Sequence, residues 1–352
     1  MIINIIKIFI PTTIAFFLGI GMTPFLMRLF IKNRLWKRHA RIDETINADK
    51  ISPTFTAIHN TKEELATPRV GGSIIWLATL GTALIIFLIS VFIPNEITEK
   101  LNFISRNQTL LLLFAMLIAS LVGLTDDLLT IFAKPGTFAN GFPRGYMISI
   151  VLSIGLIGGL WFYYKLGISS MAIPVFGILP LGMLFIPVFM AVIFAVFSSG
   201  VIDGIDGLAG GVMAIIFGAY STIALLQNQI DIAVFCAVVT GAILSFLWFN
   251  IPPARFYMGE TGMLGLTVTL TIVAFLTDTV LLLPVVAFPL FATALSSAIQ
   301  IFSKKYFNKK VFKVAPLHHH FEALGWSRAK ITMRYWVISI IFAIIGIVLS
   351  LL

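Results

Sequence analysis

Long unbroken runs of Leu, Ile, Val, Phe and Ala alternate along the chain with short polar breaks, and no run shows the two-residue alternation of a half-buried strand. The breaks delimit helices over 6–31, 70–93, 108–125, 145–166, 179–199, 208–226, 232–250, 263–276, 279–303 and 331–352. Most of these approach the roughly 20 apolar residues that a hydrocarbon core requires. The pattern predicts an all-α integral membrane protein of about ten transmembrane helices, because only structures that close their own backbone hydrogen bonds survive in lipid. It also predicts a single polytopic domain over 1–352. The first run is longer than a signal-peptide core and its basic cluster follows it, so it is expected to stay as a membrane helix.

Composition agrees: 59% of the 352 residues are hydrophobic and 11% are charged, with a mean hydropathy of +1.03. That leaves too little polar surface for a soluble domain. The one cysteine, Cys236, lies in an apolar run with no partner for a disulfide, which argues against redox chemistry. A net charge of +9 raises nucleic acid as a partner, but the cations follow the helix breaks. Breaks after odd-numbered helices, and the segment before the last helix, hold Lys32, Arg34, Lys37, Arg38, Arg41, Lys50, Lys62, Arg69, Lys134, Arg144, Arg255, Lys304, Lys305, Lys309, Lys310, Lys313, Arg328 and Lys330; the other side receives Lys7, Lys100, Arg106 and Lys165. The positive-inside rule makes the first side the cytoplasm and places both termini outside.

Carboxylates then stand out, since an acid at the centre of a membrane helix costs on the order of 2.5–3.5 kcal/mol. Asp126 and Asp127 are expected to close the third helix, Asp203 and Asp206 to follow the fifth, and Glu260 to follow the seventh, all at cytoplasmic ends. The bland alternative is a set of ordinary wet helix ends, but few cations accompany these acids. Adjacent aspartates repel each other and are most easily kept ionised by a bound cation. Carboxylate oxygens with room for water and phosphate suit Mg²⁺, and there is no Cys cluster or HExxH pattern for zinc.

Three further stretches carry candidate chemistry. SSGVIDGIDGLAGG (198–211) is rich in glycine, which lets a ligand approach the backbone, although glycines also make tight helix seams. WFNIPPARFYMGETG (248–262) stops a helix at Pro252 and Pro253 and sets Glu260 near Tyr257, an aromatic suited to stacking on a base or to anchoring at an interface. The last polar loop holds five lysines and His318, His319 and His320, which suit diphosphate binding or proton transfer. Its lysines equally suit topology or anionic head groups of membrane lipids.

Taken together, TPRVGG (67–72), the Asp126-Asp127 pair, DGIDGLAGG (203–211), WFNIPPARFYMGETG and APLHHHFEALGW (315–326) resemble the polyprenyl-phosphate N-acetylhexosamine-1-phosphate transferases nearly from end to end. HHHFE-x-x-GW is most similar to the branch that handles muramoyl-pentapeptide. The resemblance implies a Mg²⁺-dependent enzyme of the bacterial cytoplasmic membrane, multi-pass and homodimeric, with its active site on the cytoplasmic face. The implied reaction moves the phospho-sugar of UDP-N-acetylmuramoyl-pentapeptide to undecaprenyl phosphate in peptidoglycan synthesis. It also implies roles: Asp126, Asp127, Glu260 and His318 as catalytic groups, the first three holding metal. Asp203, Asp206, Asn250, Tyr257, His319, His320, Lys134 and Lys62 would bind substrate. The chain departs from the family pattern at Glu260 (usually Asp), Thr130 (usually Lys), Gly200 (usually Asn) and Arg69, which looks like relatives using N-acetylglucosamine donors. Two chemical routes fit, direct attack of lipid phosphate on the β-phosphate or a covalent carboxyl-phosphate on an aspartate. A sibling transferase with another UDP-hexosamine is the first alternative. An ion-coupled transporter is the second, and it would require midplane charge and repeat-related broken helices, neither of which the sequence pattern displays.

Overall fold

The structure is a computed structural model that describes residues 2–36, 67–105, 107–132, 141–174 and 176–352. Its helices, in chain order, are α1 (Ile2–Lys32), α2 (Ser73–Phe92), α3 (Glu96–Leu101), α4 (Asn107–Phe132), α5 (Arg144–Lys165), α6 (Phe185–Ser198), α7 (Leu208–Leu226), α8 (Ile230–Asn250), α9 (Gly259–Leu276), α10 (Leu283–Val286), α11 (Phe288–Phe307), α12 (Leu317–Ala323) and α13 (Arg328–Leu349). Among the described residues nine helices are long and apolar enough to cross a membrane, or ten spans if a bent pair counts as one. The all-α expectation holds for the membrane part, with one addition: Ser170–Ile173 (β1) pairs antiparallel with Gly177–Pro180 (β2) in a two-stranded hairpin. The expected helix over 179–199 therefore begins at Phe185, because residues 179 and 180 belong to β2.

Helix α9 is the axis of the bundle, with 94% of its spanning window buried against 22% for α1. A helix hydrophobic on every side, as α8 and α9 are, has no solvent face and belongs inside. Helix α4 packs along α9 at the closest range where Gly123 meets the first turn of α9: a methyl on Gly123 would overlap the carbonyl of Glu260. Small residues at such a seam let two backbones touch, which replaces the hydrophobic drive that lipid does not supply. On the outer helices the opposite holds. Phe9, Phe17 and Phe25 on α1, and Met333, Val337 and Ile344 on α13, are exposed in a belt suited to acyl chains.

The expected single helix over 279–303 is broken. Val280–Val286 and Phe288–Phe307 meet at an angle of 86°. Pro284 and Pro289 lie in the first turns of α10 and α11, where the missing N–H costs nothing, and Pro289 cannot continue a helix arriving from α10.

Candidate active site

The expectation that Asp126 and Asp127 end a helix is corrected: α4 runs on to Phe132, because LLTIF keeps the chain apolar past the acids. Neighbours in a helix diverge around its axis, so the two carboxylates serve different partners. Asp127 caps α9. Its Oδ1 accepts the Glu260 N–H at 3.2 Å and its Oδ2 the Thr261 N–H at 2.9 Å, an anion on the positive end of a helix. Gly259 makes this approach possible. It has φ +69°, and a side chain there would strike the Arg69 carbonyl and the Asp127 carboxylate. Asp126 turns toward Gly141 and Phe142, where its Oδ1 accepts the Phe142 N–H at 2.6 Å. Backbone donors thus partly offset the repulsion between the paired acids.

Two turns close over this point. Asp203 accepts the Gly259 N–H at 3.2 Å, and Asp206 accepts the Ala254 N–H at 3.1 Å. Asn250, buried at the end of α8, accepts from Gly207 N–H at 3.0 Å and donates to the Phe256 carbonyl at 2.8 Å. Both ends of its amide are occupied by backbone, so Asn250 clamps the turns together. Tyr257 lies half-buried, its N–H donating to the Pro68 carbonyl at 2.8 Å, while Gly71 and Gly72 N–H groups return to the Tyr257 and Met258 carbonyls at 2.9 Å each. TPRVGG and FYMGE therefore run as a short ladder, which holds Arg69 beside the acids. The Arg69 charge acts on Asp127, Asp203 and Glu260, and its Nε is buried with no hydrogen-bond partner among the described residues. Burial pushes the Asp203 carboxyl up to about 6, with Arg69 and the Gly259 N–H opposing and Asp206 adding to the rise.

The histidines enter from α12. His318 and His319 are buried with ring centroids 4.2 Å apart. Both Nε2 atoms face the 203–206 turn: a methyl on Gly204 would lie 2.6 Å from His318 Nε2 and 3.0 Å from His319 Nε2. His319 Nδ1 meets Glu322 Oε2 at 2.5 Å, and Arg328 Nε donates to Glu322 Oε1 at 2.7 Å. Burial alone would raise Glu322, but His319 and Arg328 outweigh it and hold the carboxyl below its ordinary range. His320 turns elsewhere, accepting the Lys313 N–H at 3.2 Å with its ring against Phe312.

The structure thus brings together Asp126, Asp127, Asp203, Asp206, Asn250, Tyr257, Glu260, His318 and His319, and leaves His320 on another face. Lys62 and Lys134 lie outside the described residues. Arg69, Glu322 and Arg328 were missed as site residues. Glu322 carried a signal, since it stands three residues after His319 on one helix face. No trio of His, Cys, Asp or Glu stands at metal-binding geometry among the described residues. Mg²⁺ needs only one or two protein carboxylates beside substrate phosphates and water. Glu260 fits that role, for no described residue donates a hydrogen bond to its carboxylate, whereas both oxygens of Asp127 are engaged as a cap.

Residues 109–278 match the model of glycosyl transferase family 4. The phospho-N-acetylmuramoyl-pentapeptide-transferase of a Geobacillus species is 34% identical over 293 residues, covering 81% of this chain and 84% of that protein. Its namesake from Chloroflexus aurantiacus is 33% identical over 333 residues, covering 90% of this chain and 85% of that protein. A third, from Chloroflexus aggregans, is 34% identical over 290 residues, covering 78% and 77%. With that identity sustained over most of both partners, and the shared motifs folded into one site, the chain belongs to the phospho-N-acetylmuramoyl-pentapeptide-transferase family.

Proposed function

We propose that this chain transfers phospho-N-acetylmuramoyl-pentapeptide from its UDP-linked donor to undecaprenyl phosphate, releasing UMP and forming the first lipid intermediate of peptidoglycan synthesis. The observation that carries the reading is the meeting of Glu260, Asp203 and Arg69 with the Nε2 faces of His318 and His319 around one pair of turns. An arginine, two histidines and exposed turn backbone suit phosphate oxygens, and the acids suit the metal that accompanies them.

Attacker and leaving group are both phosphates, so the chain must cancel charge before they can meet. Glu260, with Asp126 in support, would hold Mg²⁺, which when bound would supply that cancellation. Arg69 adds a fixed positive charge beside it. Asp126 orients the lipid phosphate, whose oxygen forms a bond to the donor's β-phosphorus. The bond from that phosphorus to the bridging oxygen breaks, and its electron pair leaves on UMP. His318 and His319 contact the donor phosphates from the opposite side of the 203–206 turn. Asp203, Asp206 and Tyr257 line the nucleoside side, and Asn250 holds that side in shape. A two-step path would instead form an aspartyl phosphate.

The same reading makes the protein a multi-pass enzyme of the bacterial inner membrane, one domain over 1–352, that pairs as a homodimer. Lys32, Arg34, Lys304, Lys305, Lys309, Lys310 and Lys313 lie toward the Glu260 end of the bundle, which supports a cytoplasmic site. Ten crossings, counting the bent pair as one, would return both termini to the outer side. The test is UMP release by the purified enzyme. UDP-N-acetylmuramoyl-pentapeptide should support it only with polyprenyl phosphate and Mg²⁺ present. Release from UDP-N-acetylglucosamine instead would give the sibling reading, and exchange of UMP into donor without lipid would give the two-step path.

A further inference from the structure

We propose that Glu322, braced by Arg328, is the positioning residue that fixes the His319 imidazole with Nδ1–H donating to it, so that Nε2 is presented to the donor phosphates at the 203–206 turn. This role rests on the transferase reading above and adds to it a residue outside the family motifs' assigned roles.

Three observations carry it. The His319–Glu322 contact is 2.5 Å between side chains that are 4% and 10% exposed, so little water reaches the contact. Arg328 takes the other oxygen of the same carboxylate at 2.7 Å, which leaves Glu322 little freedom to rotate away. The far nitrogen of the ring then has one direction to face, and it packs beside the Gly204 backbone, where an added methyl would lie 3.0 Å from it.

A histidine ring has two nitrogens, and the hydrogen bond made by one decides what the other can do. With Nδ1–H committed to a carboxylate, Nε2 is set to face substrate in every turnover, either receiving a proton or, when the ring is charged, donating to a phosphate oxygen. Without Glu322 the ring would populate both tautomers and rotate about its side-chain torsions. His320 shows the contrast. Its Nδ1 accepts a backbone N–H from Lys313, which assigns it to holding the loop. Arg328 opens α13, which Ser327 caps and whose Lys330 and Arg334 lie over the Trp326 ring at 4.8 Å and 4.3 Å. That cation-lined ring stacks on Phe321, the neighbour of Glu322, at 4.7 Å.

The experiment uses the full-length enzyme in detergent, with UMP release and selective ¹⁵N-histidine NMR as parallel readouts. Glu322→Ala is expected to lower kcat on the order of ten- to a hundred-fold with a smaller change in KM, as removal of a residue that orients a ligand does elsewhere. His319→Ala is expected to fall at least as far. The double variant should be no slower than His319→Ala, because Glu322 acts only through that ring. Glu322→Gln keeps the volume and one acceptor, and it should fall between wild type and Glu322→Ala. In the NMR spectrum, the resonance that His319→Ala deletes should report an Nδ1-protonated ring in wild type, and a mixture of tautomers or a shifted ring in Glu322→Ala. Independent, multiplying losses in the double variant would overturn the proposal, as would an unchanged His319 resonance in Glu322→Gln and Glu322→Ala. If wild type released no UMP from any UDP-sugar, the transferase reading would fail, and the tautomer shift would still decide the role of Glu322.

Discussion

At the Asp231 end of the bundle, the acids arrive with dedicated partners. Lys7 on α1 reaches Asp231 at the start of α8 at 2.9 Å, and Asp278, just past α9, accepts the Ala172 N–H of the hairpin at 2.9 Å. At the Glu260 end, Asp127, Asp203 and Glu260 gather around a single guanidinium, and no ion pair joins them to it among the described residues. Backbone N–H groups hold two of these acids, and no described residue donates to Glu260. A charge matched within the fold is architecture. Charge gathered in excess of its internal partners is a place kept for something that binds.

That contrast can be broken by substitution, and the largest effect should come from Glu260. Glu260→Gln is expected to lower UMP release at least about 10³-fold while folding normally, on the scale of a lost electrostatic stabiliser. An active Glu260→Gln enzyme at ordinary Mg²⁺ would place the metal elsewhere. Arg69→Ala should follow, with a loss of about 10²-fold and a raised KM for donor, since it removes the fixed cation at the site. Gly204→Ala should raise donor KM by roughly tenfold, because its methyl would collide with the His318 Nε2 at 2.6 Å and push both imidazoles out of place. At the opposite end, Lys7→Met should reverse the pattern. The apparent Tm should fall on the order of 5 °C because Asp231 loses a partner, with kcat within about two-fold.

The smallest effect concerns pH. The Asp203 carboxyl is raised to about 6 from an ordinary 3.8, so the folded chain holds a proton that the unfolded chain has lost. Stability of the metal-free enzyme is therefore expected to fall as pH rises from about 4 to about 6, and Asp203→Asn should flatten that slope. Glu322 acts with the opposite sign. Its lowered carboxyl contributes stability above the ordinary 4.5, and that contribution is lost as the solution is acidified below it. Thermal scans in EDTA across this range, in wild type and each variant, separate the two.

How far these features could be read from sequence depended on whether local composition decided them. Spanning helices follow from apolar runs, and α7, with its bounds at Leu208 and Leu226, coincides with its expected range because glycines and a Gln-Asn-Gln break punctuate both ends. Helix ends near the site did not follow. The expected start of the eighth helix at 263 missed Gly259–Gly262, since the turn of α9 is induced by Asp127 from a helix 133 residues away. The break at Ala287 was present in the two prolines and was overlooked because each alone is tolerated in a first turn. The acids were found by their cost in lipid, which is a local property. Arg69 looked like a family variant until the ladder from Pro68 to Met258 placed it among them.

The seam at Gly123 has a bearing on the lipid around the enzyme. Because α4 and α9 touch backbone to backbone there, the separation between the Asp126-Asp127 step and Glu260 is set by the peptide chain itself, with no compressible side chain between. A thicker or thinner bilayer would tilt the two helices as one body, so matching acyl length to protein should change how fast lipid substrate arrives while leaving the spacing of the reacting groups untouched.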